Sequence, residues 1–266
     1  EHAEGPVADV DQYGGWLKGP QLKATGFFRT EKVDGKWWLV DPEGHVFFSL
    51  GMDCFYPGNS TVIDGERTGW FEWLPKGGAP DCDGLWFDKG SNHLVFNFIE
   101  ANLVRKYGKK WQPSFHETAY RRFKAWGINT FGNWSNPNHC SLGRIPYVAT
   151  VVRSSATVLP TKVKPSGGYP VPDVYSEQFA KDIRAQLELL RKRVREDPWC
   201  VGVFVDNELA WGEVENAGEV AEKYYSTVKE AMREILPNHL YLGSRFHRGG
   251  ADVWRAASRH CDVVSF

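Results

Sequence analysis

The chain has 266 residues, enough for one large domain or two small ones to bury a substantial core. Thirty-two Lys and Arg against 33 Asp and Glu leave a net charge of -1, so no basic surplus favours DNA, RNA or an anionic membrane surface. No stretch approaches the roughly 20 apolar residues of a spanning helix, which excludes that class along with dedicated nucleic-acid binders. Trp, Phe and Tyr make up 14% of the residues, and 12 of them are Trp. Some rings must fill the core, while others suit a cleft whose flat apolar faces meet those of a sugar. The five cysteines form no CxxC pair, which excludes a zinc ribbon and a dense disulfide framework and allows at most two disulfides. The first residues lack the basic and apolar regions of a signal peptide, so either the protein is cytoplasmic or the sequence starts after a removed segment.

Residues 1–25 are polar and Gly-rich and read as an arm or linker. Phe27–Glu31 and Lys36–Val40 flank Val33-Asp34-Gly35, where Asp-Gly supplies the positive φ of a tight β-hairpin. A turn at Asp41–Gly44 leads into Val46–Gly51, an apolar run that predicts the first strand of the main sheet. Residues 53–113 are rich in Gly, Pro and Asp, with one helix expected from about Ser91 to Tyr107, and read as a long insertion after that strand. Ser114 and Glu117 fit a capping box that opens a helix carrying Phe115, Ala119, Phe123 and Trp126 on one face, up to Gly127. Ile128–Gly132 and Ile145–Val152 predict strands. A long amphipathic helix follows, with Phe179, Ile183, Leu187, Leu190 and Val194 on its apolar face, and stops before Pro198. Cys200–Val205 is the next strand, a helix carries Val220, Tyr224, Val228, Ala231 and Ile235, and Leu240–Gly243 and Cys261–Phe266 are the last strands.

Six strands, mostly separated by helices, make a parallel α/β architecture. A doubly wound sheet usually announces itself with a Gly-rich turn, and neither GxGxxG nor GxxxxGK[ST] occurs, so a (β/α)8 barrel is favoured. The barrel, taken as residues 26–266, then has about six of its eight strands, an N-terminal hairpin and the long insertion. An apolar strand ending at Phe266 would leave an open edge, so the chain is expected to be a piece of something longer. Polar or aromatic groups follow the strands at Asp53, Asn133-Trp134-Ser135, Arg153, Asp206-Asn207-Glu208, Arg245 and His247, and in a barrel such ends converge on the face that does chemistry.

The most informative segment is Val203–Gly212, in which a buried strand emerges directly into Asp206-Asn207-Glu208. At the fourth strand tip, Glu208 reads as a general acid/base, its carboxyl kept protonated by partial desolvation and a nearby second carboxylate. Asn207 would hydrogen-bond a sugar hydroxyl; the plainer alternative is a surface Glu capping the next helix. Trp134 and Trp211 suit stacking on sugar rings or barrel packing, and Asn133 suits binding a hydroxyl or capping its loop. His247 suits a substrate contact, orienting a carboxylate or a purely structural role, and Asp53 suits sugar binding or tying down the insertion. His116-Glu117 lacks the second His of HExxH and no GxSxG elbow is present, so neither a metal nor an organic cofactor is proposed.

Gly26–Glu31, Lys36–His45 and Phe204–Gly212 resemble the β-agarases of glycoside hydrolase family 50, and the likeness runs from Tyr13–Trp16 to Val264–Phe266. The resemblance implies a clan A (β/α)8 barrel with its acid/base Glu after strand four and its nucleophilic Glu after strand seven. It implies retaining cleavage of the β-1,4 bond of agarose, typically releasing neoagarobiose from chain ends, and secretion or a periplasmic location. Glu208 matches the acid/base and Asn207 the Asn before it. The chain departs from the family in lacking a preceding β-sandwich domain and strand seven, so the nucleophile is expected beyond Phe266; Glu213 and Glu215 are too close to Glu208 along the chain to face it across a sugar. The alternatives are a β-galactosidase or another β-glycanase of the clan, or a non-catalytic carbohydrate-binding fragment.

Overall fold

The computed structural model describes residues 8–58, 61–74, 85–88, 92–140, 142–152, 158–159 and 168–266. They divide into a larger unit, Pro6–Cys54 with Gly127–Phe266, and a smaller one, Phe55–Trp126. In the larger unit β1 (Arg29–Val33) and β2 (Lys36–Val40) form the expected antiparallel hairpin, from Arg29 opposite Val40 to Val33 opposite Lys36. Asp34 and Gly35 both take positive φ, which matches the right-handed twist of the flanking strands.

The apolar run Val46–Gly51, expected as one strand, is two. β3 (Val46–Phe47) pairs with β2, whereas β4 (Gly51–Met52) belongs to the parallel sheet. Between them the Asn129 side chain holds the backbone, accepting from Leu50 N–H at 2.8 Å and donating to the Phe48 carbonyl at 2.9 Å. These bonds satisfy main-chain groups outside any ladder, so the chain can bend, and Phe48 is left exposed.

The parallel sheet adds to β4, in order, β8 (Thr130–Phe131), β9 (Tyr147–Val151), β10 (Cys200–Val205) and β11 (Leu240–Tyr241). Every neighbouring pair of these five strands is parallel. Each strand joins beside its predecessor in the chain, so the five show none of the reversal of a doubly wound sheet. At Gly202 a Cβ would lie 2.6 Å from the Leu240 carbonyl oxygen, so glycine is what lets β10 and β11 approach. A short helix, α3 (Pro137–Cys140), follows β8; α4 (Glu177–Val194) joins β9 to β10, α5 (Ala217–Ile235) joins β10 to β11, and α6 (Ala251–His260) follows β11. Ser176 caps α4 by accepting from Phe179 N–H, and the expected stripe from Phe179 to Val194 is buried.

Cys261–Phe266, expected as a sixth strand, is not one. The Asp262 carboxylate accepts the Tyr241 N–H at 2.8 Å and both its oxygens bind Lys229 Nζ at 2.7 Å, so a side chain takes the donor that a ladder partner would have used. At the start of β10 and β11, Tyr13, Phe28 and Phe47 pack with Val201, Leu240 and Leu242, which fixes the hairpin at that end of the sheet and leaves the strand tips to the other.

In the smaller unit β5 (Thr61–Val62), β6 (Leu85–Asp88) and β7 (His93–Phe96) form an antiparallel sheet in the order β5-β7-β6. The helix expected from Ser91 to Tyr107 is therefore β7 followed by α1 (Phe98–Tyr107), with Asn97 between them as N-cap, accepting from Glu100 N–H; Ser91 lies outside the described residues. The next helix, α2 (Gln112–Trp126), starts before the expected Ser114, and Trp126 is exposed while Ala119 and Phe123 are buried. Among the described residues no helix is long and apolar enough to cross a membrane. Cys54, Cys140, Cys200 and Cys261 are free thiols, and burial pushes those of Cys140, Cys200 and Cys261 up to about 12.

Candidate active site

Because the five strands are parallel, their C-terminal ends share one edge, and there the backbone turns sharply. Cys54, Trp134, Asp206, Glu208 and Arg245, all near the ends of β4, β8, β10 or β11, take left-handed φ between 42° and 58°. Such a conformation costs a non-glycine residue on the order of 1–2 kcal/mol and persists only where its surroundings hold it. Arg153, at the end of β9, lies outside the described residues.

The buried run of β10 delivers three polar residues with different fates. Asp206 is buried; its N–H donates to the Val151 carbonyl at 2.8 Å, and its carboxylate accepts from Tyr224 Oη at 3.0 Å. Asn207 is half-buried, and among the described residues no donor reaches its buried Oδ1. Glu208 holds its backbone through its own N–H, shared between the Ser244 and Arg245 carbonyls at 3.1 Å, and through its carbonyl, which accepts from Tyr169 N–H at 2.8 Å. Gly168 approaches so closely that a Cβ there would lie 2.2 Å from the Glu208 carbonyl oxygen.

The Glu208 carboxylate is 27% exposed and pairs with the Arg245 guanidinium at 2.7 Å. Among the described residues the charge facing it is this cation, brought from the tip of the adjacent strand. The same guanidinium lies over the Trp134 ring, 5.2 Å from its centroid, so one side chain links the ends of β8, β10 and β11. Sequence reasoning noted Arg245 as a strand-end residue without assigning it to the site. Its signal was its position two residues after Gly243, at the end of the fifth strand.

Asn133 and Asp53 join the remaining tips. Asp53 Oδ1 accepts the Asn133 N–H at 2.8 Å, and the Asn133 carbonyl accepts from Cys54 N–H at 2.8 Å. This carboxylate thus ties the end of β4 to that of β8. The Asn133 side chain accepts from Thr150 Oγ1, while no acceptor among the described residues reaches its buried Nδ2.

For Trp211 and His247 the structure narrows the alternatives. Trp211 is 1% exposed and packs against Tyr224 and Tyr225, with ring centroids 5.6 and 5.9 Å away, so it is core and offers no face to a sugar. His247 is exposed and makes no hydrogen bond or ion pair among the described residues, so it orients no carboxylate there. A groove of 860 Å³ bordered by Tyr175, Asn216, Glu219, Arg255 and Arg259 runs past the start of α5 and includes neither Glu208 nor Arg245.

No family model matches the chain. Two curated proteins of Vibrio sp. (strain JT0107) do: β-agarase B, 28% identical over 96% of this chain and 37% of its own length, and β-agarase A, 27% identical over 90% and 33%. Among solved structures, that of an agarase, AgWH50C, superposes with a TM-score of 0.89 at 28% identity, over 98% of this chain and 48% of that one. The chain thus spans about a third of the length of these curated relatives and about half that of the solved structure. On these matches and this fold, the chain is a relative of the β-agarases of glycoside hydrolase family 50.

Proposed function

We propose that the protein carrying this chain is a retaining glycoside hydrolase that cleaves β-1,4 galactosidic bonds of agarose, with Glu208 as its general acid/base. The observation that carries the reading is the half-buried Glu208 carboxylate at the tip of the fourth parallel strand, in a chain whose relatives are β-agarases. The addition of strands in chain order supports a (β/α)8 barrel of which five strands are described.

In this mechanism Glu208 first gives its proton to the glycosidic oxygen as that bond breaks, while a carboxylate from another part of the full-length protein attacks the anomeric carbon. Glu208, now ionised, then takes a proton from the water that displaces the sugar from the nucleophile, which restores both groups. The two carboxyls must lie about 5–5.5 Å apart. Arg245 holds the Glu208 carboxylate in place when it is charged. Trp134, 38% exposed, suits stacking, and the half-buried Asn207 beside Glu208 suits a sugar hydroxyl once its side chain turns outward. The same proposal includes cleavage from chain ends, which the resemblance supports, and export, which the size of the polymer supports.

The test is Glu208→Gln in the full-length protein, assayed on agarose oligosaccharides. Loss of the acid/base lowers turnover by about 10²–10⁴-fold. Unchanged turnover contradicts the assignment, and binding without turnover in the unsubstituted protein supports the carbohydrate-binding alternative.

A further inference from the structure

Far along the chain from Glu208, three side chains converge where the N-terminal arm meets the hairpin sheet. Asp11, Asp41 and His45 each present a ligand atom, all within 4.8 Å of one another. Asp11 belongs to the arm, whose loop it shapes by accepting through Oδ1 from Tyr13 N–H at 2.9 Å and Gly15 N–H at 2.8 Å. Asp41 and His45 bracket the turn after β2, where Asp41 Oδ1 accepts from Glu43 N–H at 2.9 Å and His45 N–H at 3.0 Å. In each carboxylate, then, one oxygen builds the local backbone and the other is directed at the partner residues. Asp11 Oδ2 lies 2.7 Å from His45 Nδ1, and Asp41 Oδ2 lies 3.6 Å from the same nitrogen.

Asp41 is fully buried, and among the described residues no hydrogen-bond donor reaches its Oδ2. A buried carboxylate oxygen without a donor is costly, and proteins retain one where something else satisfies it. The backbone makes room for it: a Cβ on Gly15 would lie 1.9 Å from this oxygen. Two carboxylates and one imidazole in so small a volume leave a surplus of negative charge that a divalent cation would neutralise.

We propose that Asp11 Oδ2, Asp41 Oδ2 and His45 Nδ1 form a structural binding site for a borderline divalent cation of the zinc type. Bonds of about 2.0–2.2 Å in tetrahedral array put neighbouring ligand atoms about 3.4 Å apart. The 3.6 Å pair meets this spacing, and the 2.7 Å pair opens by several tenths of an ångström as the hydrogen bond between Asp11 and His45 gives way to the ion. Water takes the fourth position. The imidazole ligand selects against Ca²⁺ and Mg²⁺, which prefer sets made of oxygen alone. Entry of the ion takes the Nδ1 lone pair of the neutral imidazole, whose single proton then sits on Nε2. The resulting cross-link joins the arm to the hairpin beside the Tyr13–Phe28–Phe47 core, independently of any chemistry at Glu208.

The experiment strips the full-length protein with EDTA and titrates ZnCl₂ by calorimetry. The expected result is one ion per chain at this site, and weakening in both Asp11→Asn and His45→Gln beyond the 10–100-fold that loss of an outer-shell partner alone produces. Asp11→Asn keeps an oxygen for the Tyr13 and Gly15 N–H groups, so the arm retains its loop. For a readout that needs no variant, Co²⁺ added to the stripped protein gives visible bands of a four-coordinate nitrogen and oxygen site, which one equivalent of Zn²⁺ abolishes. Absence of stoichiometric Zn²⁺ binding, binding unchanged in both variants, or preference for Ca²⁺ or Mg²⁺ overturns the proposal.

Discussion

Gly168→Ala perturbs the support of Glu208 without touching its side chain. At φ +82° an alanine carries the left-handed penalty of about 1–2 kcal/mol, and its Cβ would lie 2.2 Å from the Glu208 carbonyl oxygen. That oxygen cannot retreat freely, because it accepts from Tyr169 N–H at 2.8 Å in the same bridge that joins Ala210 N–H to the Tyr169 carbonyl at 2.9 Å. Each of these hydrogen bonds contributes about 1 kcal/mol, so strain and lost bonding together amount to roughly 2–4 kcal/mol. Relief of the contact moves the Glu208 backbone by roughly 1 Å, a displacement that costs on the order of 10²-fold when it misplaces a reacting group. The assay pairs urea unfolding with turnover on agarose oligosaccharides, using Gly212→Ala as control, since a Cβ at Gly212 meets nothing within 4 Å. A Gly168→Ala protein with the stability and turnover of the control would refute the claim that this glycine positions the acid/base.

Two further substitutions separate core from site. Trp211→Ala is expected to lower stability by about 3–5 kcal/mol in urea unfolding, as for a large buried aromatic, because its ring is enclosed by Tyr224 and Tyr225. Arg245→Met is expected to change stability by only about 1 kcal/mol, since the ion pair is partly solvated, yet to lower kcat about 10-fold or more as Glu208 loses its tether, with partial recovery in Arg245→Lys. Equal kcat in Arg245→Met and the unsubstituted protein would contradict that role.

Local signals were legible where local physics decides. Asp34-Gly35 gave the hairpin turn, the 3.6-residue periodicity gave α4 and α5, and the apolar run Cys200–Val205 ending in Asp206-Asn207-Glu208 located the central strand and its tip. Errors arose where a distant residue intervenes. Nothing in Val46–Gly51 shows that the Asn129 amide will hold the bend between β3 and β4, and nothing in Cys261–Phe266 shows that Asp262 will take the Tyr241 N–H. His93–Phe96 is a short apolar segment whose strand state depends on pairing with Thr61–Val62 and Leu85–Asp88. At the site, Glu208 was readable from its own strand. Its partner Arg245, 37 positions away, needed the parallel order of β10 and β11, and the burial of Trp211 needed the rings of α5.

The central claim is that Glu208 protonates a departing sugar, and the most direct measurement compares two substrates in the full-length protein. Agarose oligosaccharides have a poor leaving group that needs an acid, whereas an aryl β-galactoside with an acidic phenol does not. In Glu208→Gln, turnover of the oligosaccharide is expected to fall by about 10²–10⁴-fold while formation of the glycosyl-enzyme from the aryl substrate, read as a burst of phenol, is nearly preserved. Equal losses on both substrates, or no loss on either, would contradict the assignment of Glu208 as the acid/base.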